Sequence, residues 1–270
     1  MKILFVLLAS LVVLSSQAKA FPINLDGWDQ ISDKHFKIYF KRQSAGESPR
    51  QILNKAEEYY STIADHIGYA RYQNFWTWEE RVPIVYFSSQ EEFARTTNRP
   101  IWSKGFSVTH LASVNSRMIV TFKGQDDFLD STLPHEISHL ILHDFIGAQR
   151  SIPLWFDEGV AQLEEVKEDR HDQILARLVV SGQGISMDVL QGINSGSAFD
   201  SRSASIFYAE SLYIVEFLVK TYGKEGFVNL CRDLRDGNPF EVALRRSYYP
   251  ALDSLAKLQD EWIKHMKQYL

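Results

Sequence analysis

The chain has 270 residues, 45% of them hydrophobic, with one cysteine and a formal net charge of −5. A mildly acidic chain with no basic stripe makes a poor nucleic-acid binder. A single Cys231 excludes an internal disulfide, so the fold must rest on its own apolar core, which this composition permits.

In chain order, residues 1–20 have the pattern of a signal peptide. Lys2 supplies the positive start, Ile3 to Leu14 the apolar stretch, and Ala18-Lys19-Ala20 an A-x-A cleavage site. The apolar run is too short to span a bilayer comfortably, and no cysteine follows the site, so export without a stable membrane anchor is expected. Without Lys2 and Lys19, 27 basic residues face 34 acidic ones, a net charge of −7. The remaining segment, 21–270, has the length of one domain, with a sheet-containing lobe over about 21–150 and a helical lobe over about 151–270.

His35 to Phe40 (HFKIYF) alternates and is rich in aromatics, which predicts a strand. Ile52, Ala56, Tyr59, Ile63 and Ile67 recur at helical spacing over 50–67, with Gly68 as the stop. Val82 to Phe87 (VPIVYF) is a buried strand. Ser89 with Glu92 makes a capping box for a short helix, and Arg117 to Phe122 (RMIVTF) is a third strand. From there the pattern is helical: about 130–144, from Pro153 onward, 169–180, 204–222, 224–236, 239–247 and 250–269, with a Gly/Ser-rich loop over 192–205. Strands first and helices later predict an α+β fold: a small N-terminal mixed sheet lobe with the 130–144 helix, then a mostly helical C-terminal lobe. Cys231 falls at a core-like helical position and is read as an inert buried thiol.

The chemistry concentrates in the 130–144 helix, where residues 135–139 read HEISH. Positions i and i+4 lie on one helix face, about 6 Å apart along the axis, so His135 and His139 can hold one metal ion. Glu136 stands beside that face, placed to act as a general base toward the attacking water. The flanks Leu133, Ile137, Leu140, Ile141 and Leu142 are aliphatic, and burying two histidines and a glutamate among them is costly unless they are paired or bind a metal. A catalytic zinc needs a third protein ligand, and Glu158, eighteen residues beyond His139, is the candidate. Asp157 is a weaker one. His143 is expected to face the carbonyls at the helix end. The charge run with Glu164, Glu165, Glu168 and Asp169 is expected to be a solvated face.

HEISH, eighteen residues, then Glu158 within Trp155-Phe156-Asp157-Glu158-Gly159-Val160-Ala161 resembles the gluzincin metallopeptidases, and most closely the small bacterial peptidase MA-like domains. These share a W-x-x-EG-x-A segment and a later Tyr-Ala-x-Ser segment, here Tyr208 to Ser211; the stretch GNPFEVAL and a final amphipathic helix with Trp262 also fit. The resemblance covers roughly 104–270. It implies a thermolysin-like catalytic domain with one Zn2+ on His135, His139 and Glu158, Glu136 as catalytic base and Tyr208 as donor to the oxyanion. It also implies a peptide or protein substrate. The gluzincin aminopeptidases capture the substrate's amine with a GxMEN-type segment, and nothing here resembles it, so an endopeptidase is expected. The resemblance further implies that the strand before the metal helix, RMIVTF, lies at the sheet edge, where an extended peptide can add as another strand; backbone pairing makes little side-chain demand, so specificity is expected from a pocket near Trp155 and Phe156. The competing readings are an exported binding or assembly module that keeps the fold without catalysis, and a hydrolase of a non-peptide amide.

Overall fold

The computed structural model describes residues 23–41, 48–69, 76, 80–99, 103–108, 117–125, 127–147, 150–166, 172–194 and 200–270. The signal-peptide reading and part of the 192–205 loop fall outside them. The architecture is α+β, as expected: a small mixed sheet toward the N-terminus and a mostly helical remainder. Two compact units divide the chain. One holds the described residues up to Asp65 and Tyr69–Ile141; the other holds His66–Gly68 and Leu142–Leu270.

The first unit is built on five strands: β1 (Asp29–Ser32), β2 (Phe36–Phe40), β3 (Val82–Phe87), β4 (Gly105–Val108) and β5 (Met118–Phe122), in the order β1-β2-β3-β5-β4. The inner pairs β2/β3 and β3/β5 are parallel, and the outer pairs β1/β2 and β4/β5 are antiparallel. Parallel inner strands are covered on both faces and run apolar throughout, which is how VPIVYF and MIVTF read. Helices α1 (Pro49–Ile67) and α2 (Gln90–Thr97) follow β2 and β3. Ser89 caps α2 by accepting from Glu92 N at 3.2 Å, and Glu92 returns a bond to Ser88 N. Under α2, Val85, Phe87, Phe93, Phe106, Val120 and Phe122 form a buried cluster, with Phe93 5.1 Å from Phe122 between ring centroids.

One expectation fails in this unit. β5 is hydrogen-bonded to β3 on one side and to β4 on the other, so it is not the edge. The short strand β4, which the sequence pattern did not announce, takes the outer position. After β5 a π-helical turn, Phe128–Thr132, runs into α3 (Leu133–Ile146). Pro134 sits in the first turn of α3, where a missing N–H is tolerated.

The second unit receives the last residues of α3 and contains α4 (Leu154–Leu163), α5 (Asp172–Val180), α6 (Met187–Gly192), α7 (Ser201–Arg235), α8 (Phe240–Tyr248) and α9 (Leu255–Met266). Gly223, at φ 83° and ψ 161°, breaks α7 into the two helices the sequence predicts. Helix α4 lies so close to α7 that a Cβ on Gly159 would stand 2.3 Å from the Ser211 carbonyl oxygen. Trp155 and Phe156 are fully buried and pack edge-on against Phe240 at 5.2 and 5.3 Å. Burying such side chains stabilises by roughly 1.5–3 kcal/mol each. Both rings belong to the core and offer no exposed surface of their own to a substrate. Among the described residues no helix is long and apolar enough to cross a membrane.

Candidate metal centre

Helix α3 is buried nearly all round: Leu133, Ile137, Leu140, Ile141 and Leu142 are each at most 1% exposed. Within it His135 and His139 are fully buried, with their rings 4.7 Å apart and inclined at 81°. Their Nε2 atoms converge to 3.1 Å. A tetrahedral zinc with Zn–N bonds of about 2.0–2.1 Å would hold two nitrogens roughly 3.3 Å apart. The helix thus presents the pair at close to the spacing a metal requires.

Glu136 is 1% exposed, and neither carboxylate oxygen has a hydrogen-bond partner among the described residues. An ionised carboxylate out of water with no donor costs several kcal/mol, so a structural role gives no return for placing it there. Its charge acts on the guanidinium of Arg99 without ion-pair contact.

In the second unit, α4 starts after Pro153 and carries Asp157 and Glu158, 3% and 1% exposed. His143 does not face the helix carbonyls as its principal contact. Its Nε2 is 2.7 Å from Asp157 Oδ2, and that pairing occupies Asp157. Glu164 is not on a solvated face: its side chain is 7% exposed and its carboxylate is 3.0 Å from His66 Nδ1. Residues 168 and 169 of the charge run lie outside the described residues.

Tyr208 sits in the first half of α7 at intermediate exposure, and its carbonyl accepts from Gln162 Nε2 at 2.9 Å, tying it to α4. Burial, and then the Glu158 carboxylate, push its phenol far above the ordinary tyrosine value. It therefore stays a protonated donor at any working pH. Cys231 is fully buried, which pushes its thiol well up and leaves it inert.

His135 and His139 are buried in the first unit, and Glu158 is buried in the second. Two nitrogens and one carboxylate, with no cysteine, is a catalytic donor set.

Residues 84–268 match the model of the peptidase MA superfamily. The chain belongs to the peptidase MA superfamily. No curated protein matches it. Membership makes the chain a metallopeptidase-type hydrolase with a peptide or protein as substrate, in a superfamily whose members are generally zinc-dependent.

Two features of this region carry no sequence motif: the His143–Asp157 pair, whose partners lie 14 positions apart, and Arg99.

Proposed function

We propose that the chain is an exported, zinc-dependent endopeptidase. In this reading His135, His139 and Glu158 hold one zinc ion, Glu136 is the general base and Tyr208 steadies the oxyanion. The observation that carries it is the convergence of two fully buried imidazoles to 3.1 Å beside a buried, unbonded carboxylate. A zinc ion on such ligands polarises the scissile carbonyl and lowers the pKa of water toward about 7.

The chain's own residues do the rest. Glu136 takes the proton of the attacking water and delivers it to the leaving amine. Tyr208, held protonated, donates a hydrogen bond where the carbonyl oxygen becomes an anion. His143 occupies Asp157, which favours Glu158 over Asp157 as the third ligand. A catalytically silent module has no use for an unbonded buried Glu136, and this weighs against the binding-protein reading. The superfamily match favours a peptide over another amide.

Internal cleavage suits an extended substrate. Among the described residues β4 pairs only with β5, which makes its outer side the candidate edge for a peptide to add as a further strand. Export rests on the pattern of residues 1–20. Mass spectrometry of digests of amidated and blocked peptides tests the cleavage mode. Internal cuts are expected; stepwise removal of N-terminal residues alone would overturn the endopeptidase reading.

A further inference from the structure

We propose that Arg99 forms an anion subsite that makes the enzyme select peptides carrying a carboxylate near the bond to be cut. The inference rests on the peptidase reading above and adds a preference to it.

Helix α2 ends at Asn98, whose left-handed backbone (φ 54°) turns the chain out of the helix and delivers Arg99. The guanidinium carbon of Arg99 lies 4.3 Å from the centroid of the Phe106 ring. Phe106 is itself 2% exposed, fixed in the aromatic cluster, and belongs to the outer strand β4. A guanidinium stacked on a fixed ring is held in place without spending any of its five N–H donors.

Those donors find no carboxylate in ion-pair contact among the described residues. Lys104, a few residues on, shows the contrast: its ammonium lies 2.6 and 2.8 Å from the two oxygens of Asp127. Among the described residues, then, one cation of this segment has a carboxylate partner and the other does not. Arg99 is only partly exposed, and burial lowers its pKa while Glu136 raises it. The two charges act on each other but do not pair. A partly dehydrated cation without a counter-ion is costly, and a substrate carboxylate would relieve that cost. A guanidinium fork receives a carboxylate by two parallel hydrogen bonds. The outer strand that carries its platform is the strand along which an extended peptide can pair. The carboxylate is that of an acidic side chain or of the peptide's free C-terminus, and these share one chemistry.

Fluorescently labelled hexapeptides of one apolar sequence separate the two sources. One form carries an internal glutamate and an amidated end, one is neutral with a free terminal carboxylate, and one is neutral and amidated. Binding is read by anisotropy and cleavage by mass spectrometry, with the wild-type protein, R99Q and R99K. Wild type is expected to bind one carboxylate form at least about tenfold tighter than the neutral amidated form, and the form preferred identifies the source. R99Q is expected to lose that preference while its affinity for the neutral form stays within about twofold. R99K keeps the charge without the fork and is expected to retain only part of the preference, a comparison that serves equally where R99Q does not fold. Equal binding of all three forms by wild type, or a full preference surviving in R99Q or R99K, overturns the subsite. Binding preference without cleavage of any form would instead count against the peptidase reading and leave the subsite standing.

Discussion

His143 Nε2 lies 2.7 Å from Asp157 Oδ2. His143 is one turn beyond His139 on α3, and Asp157 is the residue before Glu158 on α4, so the pair ties the end of the histidine helix to the start of the glutamate helix. Removing one partner leaves the other buried and uncompensated. Asp157→Ala is expected to lower stability by about 2–3 kcal/mol and to reduce zinc affinity much less than loss of a ligand does. Glu158→Ala removes a ligand and is expected to abolish stoichiometric zinc. Elemental analysis after dialysis against buffered zinc ranks the two; the opposite ranking would make Asp157 the ligand.

Gly159 marks the closest approach of α4 to α7. A Cβ there would stand 2.3 Å from the Ser211 oxygen and 2.6 Å from Val215 Cγ2. Backbone cannot yield as a side-chain tip can, so Gly159→Ala is expected to cost on the order of 2–4 kcal/mol. Chemical denaturation measures it, and a midpoint within error of wild type would refute the packing described.

Much of this architecture is legible in the residues. VPIVYF is apolar because its strand is covered on both faces, and HEISH keeps its meaning because i and i+4 share a face wherever the helix lies. β1 was invisible because Asp-Gln-Ile-Ser is a polar edge sequence, and β4 because a four-residue strand opening on Gly105 carries almost no pattern. The resemblance places β5 at the edge, although the run MIVTF is itself the mark of an interior strand. The sequence suggests a pocket near Trp155 and Phe156. Their side chains instead meet Phe240, a contact between residues 84 or more positions apart that no local pattern reports. Arg99 has no periodicity and no motif, and only its ring platform and its open donors make it visible.

Glu210 makes stability depend on pH. It is fully buried, its oxygens accept from Ile185 N at 3.0 Å, and burial raises its pKa from 4.5 to about 7. An acid whose pKa is higher folded than unfolded binds its proton more tightly in the native state. The stability this contributes is complete below pH 4.5 and is lost as pH rises through about 7. Between pH 5 and pH 8 wild type is expected to lose on the order of 2–3 kcal/mol more than Glu210→Gln, which keeps an acceptor for Ile185 and cannot ionise. Urea unfolding at several pH values checks this. Parallel pH slopes for the two proteins would contradict it.

Tyr208 is expected to act in the transition state more than in substrate binding. Tyr208→Phe removes the hydroxyl alone, so kcat is expected to fall about 10²–10³-fold with KM little changed. Steady-state kinetics on one peptide decide it, and a Phe variant with wild-type kcat would make Tyr208 a packing residue.

The central claim is that Glu136 is a base beside the metal and not a ligand to it. Glu136→Gln keeps the shape of the side chain and removes its capacity to take a proton. The most direct measurement is zinc content and peptide cleavage of this variant beside wild type, in one preparation. One zinc per chain with cleavage reduced by about 10²–10⁴-fold is the predicted result. Full activity in the variant, or loss of stoichiometric zinc, would contradict it.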